Sequence, residues 1–169
     1  QLGILGSLVA HAIEPHHAYA QITNIPGSSN ESGGSAGLSR GRQSFAIGEG
    51  SATNYSWYSY ASGYRALTSG EYSKALDFKA DARLKWSQAF GTAAVSGGTG
   101  SIALGTDSSA AEEFSKSLGF QSKATGDLSV AIGSSANASG ISSMTIGTAS
   151  KASGESAQAT GFKTEASGK

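Results

Sequence analysis

Ser129-Val-Ala-Ile-Gly-Ser-Ser-Ala-Asn-Ala-Ser-Gly-Ile-Ser142 is the clearest copy of a fourteen-residue unit that runs through most of the chain. Its first half reads Ser-x-Ala-apolar-Gly and its second Ala-x-Ala-Ser-Gly. At every seventh residue from Gly63 to Gly168 the chain places thirteen Gly in sixteen positions, the exceptions being Asp77, Leu84 and Glu112. With 24 Gly in 169 residues, composition alone would place about two there. The phase holds across Ser73, Ser87, Ser101, Ser115, Ser129, Ser143 and Ala157. Upstream, Ser59 opens one more unit, and Ser44-Phe-Ala-Ile-Gly48 opens another fifteen residues earlier, so one residue is inserted between them. Nine units cover Ser44 to Lys169, and Gly34 and Gly41 carry the spacing back into a degenerate tenth.

A seven-residue spacing invites a coiled coil, but the energetics exclude it. Gly in a helix interior costs about 1 kcal/mol relative to Ala, so thirteen would cost on the order of 13 kcal/mol, as much as a whole domain is worth. Val130-Ala131-Ile132 and Ile102-Ala103-Leu104 alternate with period two, the strand period, with Gly close to each turn. Fourteen residues accommodate two strands of about five and two short turns. Each unit is then one flattened coil, stacked on the next at about 4.8 Å. Gly recurs, on this reading, because each coil turns twice and a positive φ is cheap only without a Cβ.

The columns say which side chains face where. The third position of the unit holds only small residues: Ala46, Ala61, Ala75, Ala89, Ala103, Ser117, Ala131, Thr145 and Ala159. The position before it varies, with Phe45, Tyr60, Lys74, Gln88, Ile102, Lys116, Val130, Met144 and Gln158. A closed interior could not take Lys74 and Lys116 unpaired, so the variable columns face outward and the Ser, Ala and Gly set lines a thin inside. An Ala and Gly interior buries too little area to offset backbone ordering. Each coil meanwhile shows an apolar pair on its outer wall, and a stripe of that length marks an interface. Ile47, Leu76, Phe90, Ile102, Leu104, Leu118, Val130, Ile132 and Ile146 are its candidates, and closed cyclic symmetry between identical chains is the economical way to cover them.

Composition excludes several classes. There is no Cys, so disulfide scaffolds and thiolate metal sites are out, and His11, His16 and His17 are too few for a histidine metal centre. Twelve basic side chains balance twelve acidic ones, which leaves no electrostatic footprint for nucleic acid or an anionic membrane. No phosphate-loop motif occurs, and the pair Glu112-Glu113 reads as a solvated turn rather than as acid and base. No cofactor is expected. Hexapeptide and nonapeptide β-helices fail on period, and an ice-binding array fails because the outward columns change from unit to unit.

The unit Ser-Val-Ala-Ile-Gly-x-x-Ala-x-Ala-x-Gly, best matched by Ser129 to Gly140, Ser101 to Gly105, Ser44 to Gly48 and Ser143 to Gly154, resembles the head repeat of trimeric autotransporter adhesins of the YadA type. The resemblance spans about three quarters of the chain. It implies an all-β fold, a left-handed parallel β-roll with two strands per coil, assembled as a homotrimer with two identical chains. It also implies a non-enzymatic head that binds host extracellular matrix or a cell-surface receptor, displayed on the bacterial surface. The head would be anchored in the outer membrane through a C-terminal region absent from this sequence, without membrane contact of its own. Matching the family's matrix-binding strands singles out Ser129, Val130, Ala131, Ile132 and Gly133, with Ser44, Ala46, Ile47 and Gly48 as a second copy. A phage or surface fibre spike is the alternative for the same shape.

Three regions follow: residues 1–20 as a truncated signal peptide or an N-terminal cap, 21–43 as a flexible leading segment with a degenerate repeat, and 44–169 as the roll. Leu2 to Ala10 is apolar but too short to span a bilayer, and Ala18-Tyr19-Ala20 resembles a signal-peptidase site. Pro26 to Gly34 reads as a flexible loop. From Tyr55 to Phe90 the chain concentrates nine aromatics and a charged run. Tyr55, Trp57, Tyr58, Tyr64, Tyr72, Arg83 and Trp86 there form either a receptor face or a set of packing contacts that brace coils lacking their turn Gly.

Overall fold

The structure, a computed structural model, describes residues 43–168 and the strand backbone of 31–33 and 38–39. The signal-peptide and histidine readings fall on residues outside the described ones. Two ten-stranded parallel sheets lie back to back in the chain path, and each coil gives one strand to each. The wide sheet stacks three-residue strands, among them Phe45–Ile47, Tyr60–Ser62, Lys74–Leu76, Gln88–Phe90, Ile102–Leu104, Lys116–Leu118, Val130–Ile132, Met144–Ile146 and Gln158–Thr160. The narrow sheet stacks two-residue strands such as Ala52–Thr53, Lys123–Ala124, Asn137–Ala138 and Lys151–Ala152. No helix interrupts Ser101 to Gly168.

Register follows the sequence period. Val130 pairs with Met144 and Ala131 with Thr145, fourteen residues on. Phe45 pairs with Tyr60, fifteen residues on, as the inserted residue requires. The amides of Asn54 and Tyr72 bond to the carbonyls of Thr68 and Trp57, which confines the insertion to the residues between Asn54 and Trp57, where Tyr55 is 75% exposed. Upstream, Glu31–Gly33, within the stretch read as flexible, is a strand, and it pairs with Phe45–Ile47 at the same spacing of fourteen.

The strands are shorter than the five residues expected because the coil-to-coil ladder continues through the turns. The amides of Gly133, Ser135 and Ser142 donate to the carbonyls of Leu118, Phe120 and Asp127 of the preceding coil, at 2.8 Å each. Stacked turns thus satisfy their own backbone, and little regular strand is needed between them.

The interior is as thin as the columns predicted. Ala46, Ala61, Ala75, Ala89, Ala103 and Ala131 are wholly buried, and so are Ala110, Ala124, Ala138 and Ala152 opposite them. Thr53, Thr68 and Thr145 are the largest fully buried side chains among the described residues. Lys74 and Lys116 point out. The buried Ser found at the first position of most units and at the eighth of some, where others hold Ala66, Ala80, Ala94 or Ala136, has a specific task. Ser101 Oγ donates to the Gly98 carbonyl at 2.7 Å and Ser108 Oγ to the Gly105 carbonyl at 2.8 Å, and the amides of both residues donate to the same carbonyls. At these two positions each hydroxyl closes the turn before it and spends its polarity there, which lets it sit in the interior, whereas the buried Ser143 hydroxyl has no partner.

The two Gly columns recur for different reasons, which corrects the expectation that both supply positive φ. At the fifth position φ is positive throughout, from 98° at Asp77 to 137° at Gly147. At the twelfth position φ is ordinary, but a Cβ on Gly126 would fall onto the carbonyl of Gly140 in the next coil. The left-handed residues of the turns are instead the seventh and fourteenth, and most of those are not Gly: Gln121, Ser135, Tyr72, Trp86 and Leu128 all lie between 53° and 60°.

Candidate binding surfaces

A flattened coil presents four surfaces: the outer faces of the two sheets and the two turn edges. All nine apolar interface candidates lie on the outer face of the wide sheet. Ile102 and Val130 occupy its second-position column, and Ile47, Leu76, Phe90, Leu104, Leu118, Ile132 and Ile146 its fourth. Leu104, Leu118, Ile132 and Ile146 stand directly above one another. Leu104 and Ile132 remain exposed, and the rest of the column is half-buried or exposed. The narrow sheet carries half-buried Leu67 and Val95 in earlier coils and polar side chains from Ser109 on, including Lys123, Asn137 and Lys151, the last bonded to Glu165 at 3.1 Å. A shallow hollow of about 440 Å³ lies where that face meets the first turn edge, lined by Asp107, Gln121, Lys123, Ser135, Ala136 and Asn137.

The matrix-contact set divides. Ser44, Ala46, Ser129 and Ala131 are buried within the winding and have no surface to offer, because period-two alternation sends the first and third positions inward. Ile47, Gly48, Val130, Ile132 and Gly133 do reach the surface of the wide sheet and its edge.

The aromatic set divides as well. Tyr55, Trp57, Tyr58, Tyr72, Arg83 and Trp86 lie along the turn that returns the chain from the narrow sheet to the wide one. Tyr64 lies on the opposite edge, where it stacks on Phe78 at 5.3 Å, so a single receptor face containing all seven does not form. Aromatics brace successive coils: Tyr58 stacks on Tyr72 at 4.9 Å, and Phe45 on Tyr60 at 5.4 Å on the wide sheet. They do so from the outside, with Trp86 half exposed. Lys85 Nζ sits over the Trp86 ring at 4.8 Å and pairs with Glu71 at 3.1 Å, while Arg83 pairs with Asp81 at 2.7 Å.

Phe114 and Leu128 extend the same edge and were missed from sequence, because they lie beyond the aromatic-rich stretch and only the fourteen-residue column joins them to it. Tyr58, Tyr72, Trp86, Phe114 and Leu128 all hold bulky side chains at left-handed φ, which costs on the order of 1 kcal/mol each. Ser142 and Ser156 fill that position in later coils, so the backbone does not demand the bulk. No three His, Asp or Glu side chains among the described residues are placed to hold a metal ion.

The architecture defines the class: a parallel β-solenoid of fourteen-residue coils with a small-residue interior and an apolar outer sheet. The YadA head domain repeat (2 copies) matches residues 87–115, 117–136, 124–144 and 138–164. In fold the chain is similar to the collagen-binding domain of the Yersinia adhesin YadA, with a TM-score of 0.57 and 22% identity over 78% of this chain and 69% of that one. No curated protein matches the sequence significantly. Between residues 87 and 164 the chain thus carries YadA head domain repeats, and its fold is that of the YadA head.

Proposed function

We propose that the domain is the head of a bacterial surface adhesin that attaches to host extracellular matrix by many weak contacts along a rod. The apolar outer face of the wide sheet carries the reading. Leu76, Phe90, Leu104, Leu118, Ile132 and Ile146 form a continuous column, flanked by Ile102 and Val130 and separated from Ile47 by Ser62, that a lone chain leaves partly in water, and three identical left-handed rolls around one axis would cover it. Trimerisation then triplicates every surface site, and effective concentration turns weak contacts into firm attachment. The similar YadA domain is a collagen-binding one, so collagen is the first ligand to try.

The test joins mass to binding. Sedimentation of the purified domain should give three times the chain mass, and Ile132→Lys with Leu104→Lys should lower it. Immobilised collagen, fibronectin and laminin should retain the trimer, and retention should weaken in the dissociated variant by more than tenfold. A folded monomer that binds no matrix protein would sink the proposal.

A further inference from the structure

The described residues contain two Asn, and each opens an Asn-x-Ser triplet: Asn54-Tyr55-Ser56 and Asn137-Ala138-Ser139. In the whole sequence three of the four Asn have Ser two residues later; the third, Asn30, lies outside the described residues. Ser and Thr make up 42 of 169 residues, so chance would give about one such Asn. Asn-x-Ser with x other than Pro is the acceptor motif for N-linked sugars, in which the amide nitrogen takes the sugar and the hydroxyl two residues on is read with it.

Neither triplet follows from the repeat. The eleventh position of the unit is often Ser or Thr, as at Ser69, Thr125, Ser139 and Ser153, but only the coil of Asn137 has Asn at the ninth. Asn54 owes its triplet to the one-residue insertion: taking out either Tyr55 or Ser56 to restore the fourteen-residue spacing abolishes it. Both side chains stand where the fold can carry a sugar. Asn54 is exposed at the end of a narrow-sheet strand, and Asn137 lies on the outer face of that sheet between buried Ala136 and Ala138. The apolar stripe is on the other sheet, so a sugar at either site leaves it clear. Asn137 also walls the hollow of about 440 Å³, a volume within the range of small-ligand sites. Asp107, Gln121, Lys123 and Ser135 offer donors and acceptors there for the hydroxyls of a sugar ring.

We propose that Asn54 and Asn137 are N-glycosylated, and that the first sugar on Asn137 settles in this hollow. The donor is a sugar activated as its nucleotide or lipid diphosphate, and a separate transferase acts on it. The Asn side-chain nitrogen bonds to the anomeric carbon while the bond from that carbon to the donor's phosphate oxygen breaks. The diphosphate leaves with the electron pair, and the nitrogen gives one proton to a base of the transferase. Transfer precedes folding. Ser56 is buried with its hydroxyl 2.6 Å from that of Ser59, and the Asn137–Ala138 strand is paired on both sides, so the closed roll presents neither triplet to an enzyme.

The proposal does not depend on the adhesin reading. Peptide mass mapping of the full-length protein, isolated from the cells that make it, tests it. Trypsin should release residues 43–65 and 124–151, each carrying sugar that fragmentation places on Asn54 and Asn137. Asn137→Gln should strip 124–151 and leave 43–65 modified, and Asn54→Gln should do the reverse. Ser139→Ala, at an exposed hydroxyl outside the core, should act like Asn137→Gln. Two unmodified peptides, or a sugar that survives Asn137→Gln and so sits on Ser or Thr, would overturn the proposal. Melting tests the hollow. Asn137→Gln should lower the melting temperature of the glycosylated protein by about 2 °C or more, and leave it unchanged in protein produced in a host without N-glycosylation. Equal shifts in the two preparations would mean that the sugar is not seated.

Discussion

The two turns of each coil solve the same problem with different chemistry. The forward turn, from wide sheet to narrow, needs backbone that only Gly adopts easily: Gly133 has φ 129°, and a Cβ there would also meet the Gly147 carbonyl oxygen at 2.5 Å. The return turn needs Gly only for room, since Gly140 has ordinary backbone and is crowded by the Gly154 carbonyl. A conformational demand is met inside the residue and cannot be relieved by its neighbours. A spatial demand can be relieved if the next coil shifts. The exceptions fit this difference, with one at the forward turn, Asp77, and three at the return turn, Ser56, Leu84 and Glu112. The freer edge is also the one that has accumulated the aromatic row.

The largest expected effect is therefore at the forward turn. Gly133→Ala combines left-handed strain with a backbone overlap and should lower unfolding free energy by about 3 kcal/mol or more. Thermal denaturation followed by far-ultraviolet circular dichroism reads it, and a loss under about 1 kcal/mol would break the comparison. Gly140→Ala at the return turn should lose about 1–2 kcal/mol, because a small local opening of the stack is enough to admit the methyl group. Equal losses at the two positions would mean that crowding alone governs both.

Asp77 sharpens the contrast from the other side. It holds φ 98° with a side chain attached, and its carboxylate accepts from the Phe78 amide at 2.7 Å and from the Thr92 hydroxyl at 3.3 Å. Those bonds are exposed and compensate only part of the strain. Asp77→Gly should raise stability by about 1 kcal/mol, and Asp77→Ala should lower it by a similar amount. If Asp77→Gly destabilises the protein, the carboxylate bonds outweigh the backbone at this turn.

Coil length, the inserted residue, the inward Ala column and the outward Lys74 and Lys116 were all legible in the sequence, because a period-two pattern repeated nine times leaves one assignment for each column. What one unit cannot show is the relation between units. The crowding of Gly126 by Gly140 is contact between residues fourteen apart whose own backbone is unremarkable, so identity alone could not separate it from the strain at Gly133. The burial of Ser129 and Ala131 followed from the columns, yet the family resemblance had placed both on a binding surface. The division of the aromatics had a similar cause: Tyr64 and Tyr72 are close in sequence but lie on opposite turns.

Gly97 and Gly98 put the smallest effect next to a large one. Both belong to the return turn and both have ordinary φ. A Cβ on Gly98 would fall on the Glu112 carbonyl, whereas one on Gly97 would have the Ala111 carbonyl oxygen as its nearest neighbour, at 3.2 Å. Other coils place Arg83, Thr125 and Ser139 where Gly97 stands, so the fold accepts a side chain there. Gly97→Ser removes freedom from the unfolded chain and adds only a slight squeeze, and should stabilise by about 0.5 kcal/mol. Gly98→Ser should destabilise by more than 1 kcal/mol through crowding alone. Opposite signs in one pair of melting curves, one residue apart, would establish that the return-turn glycines answer to the neighbouring coil and not to their own backbone.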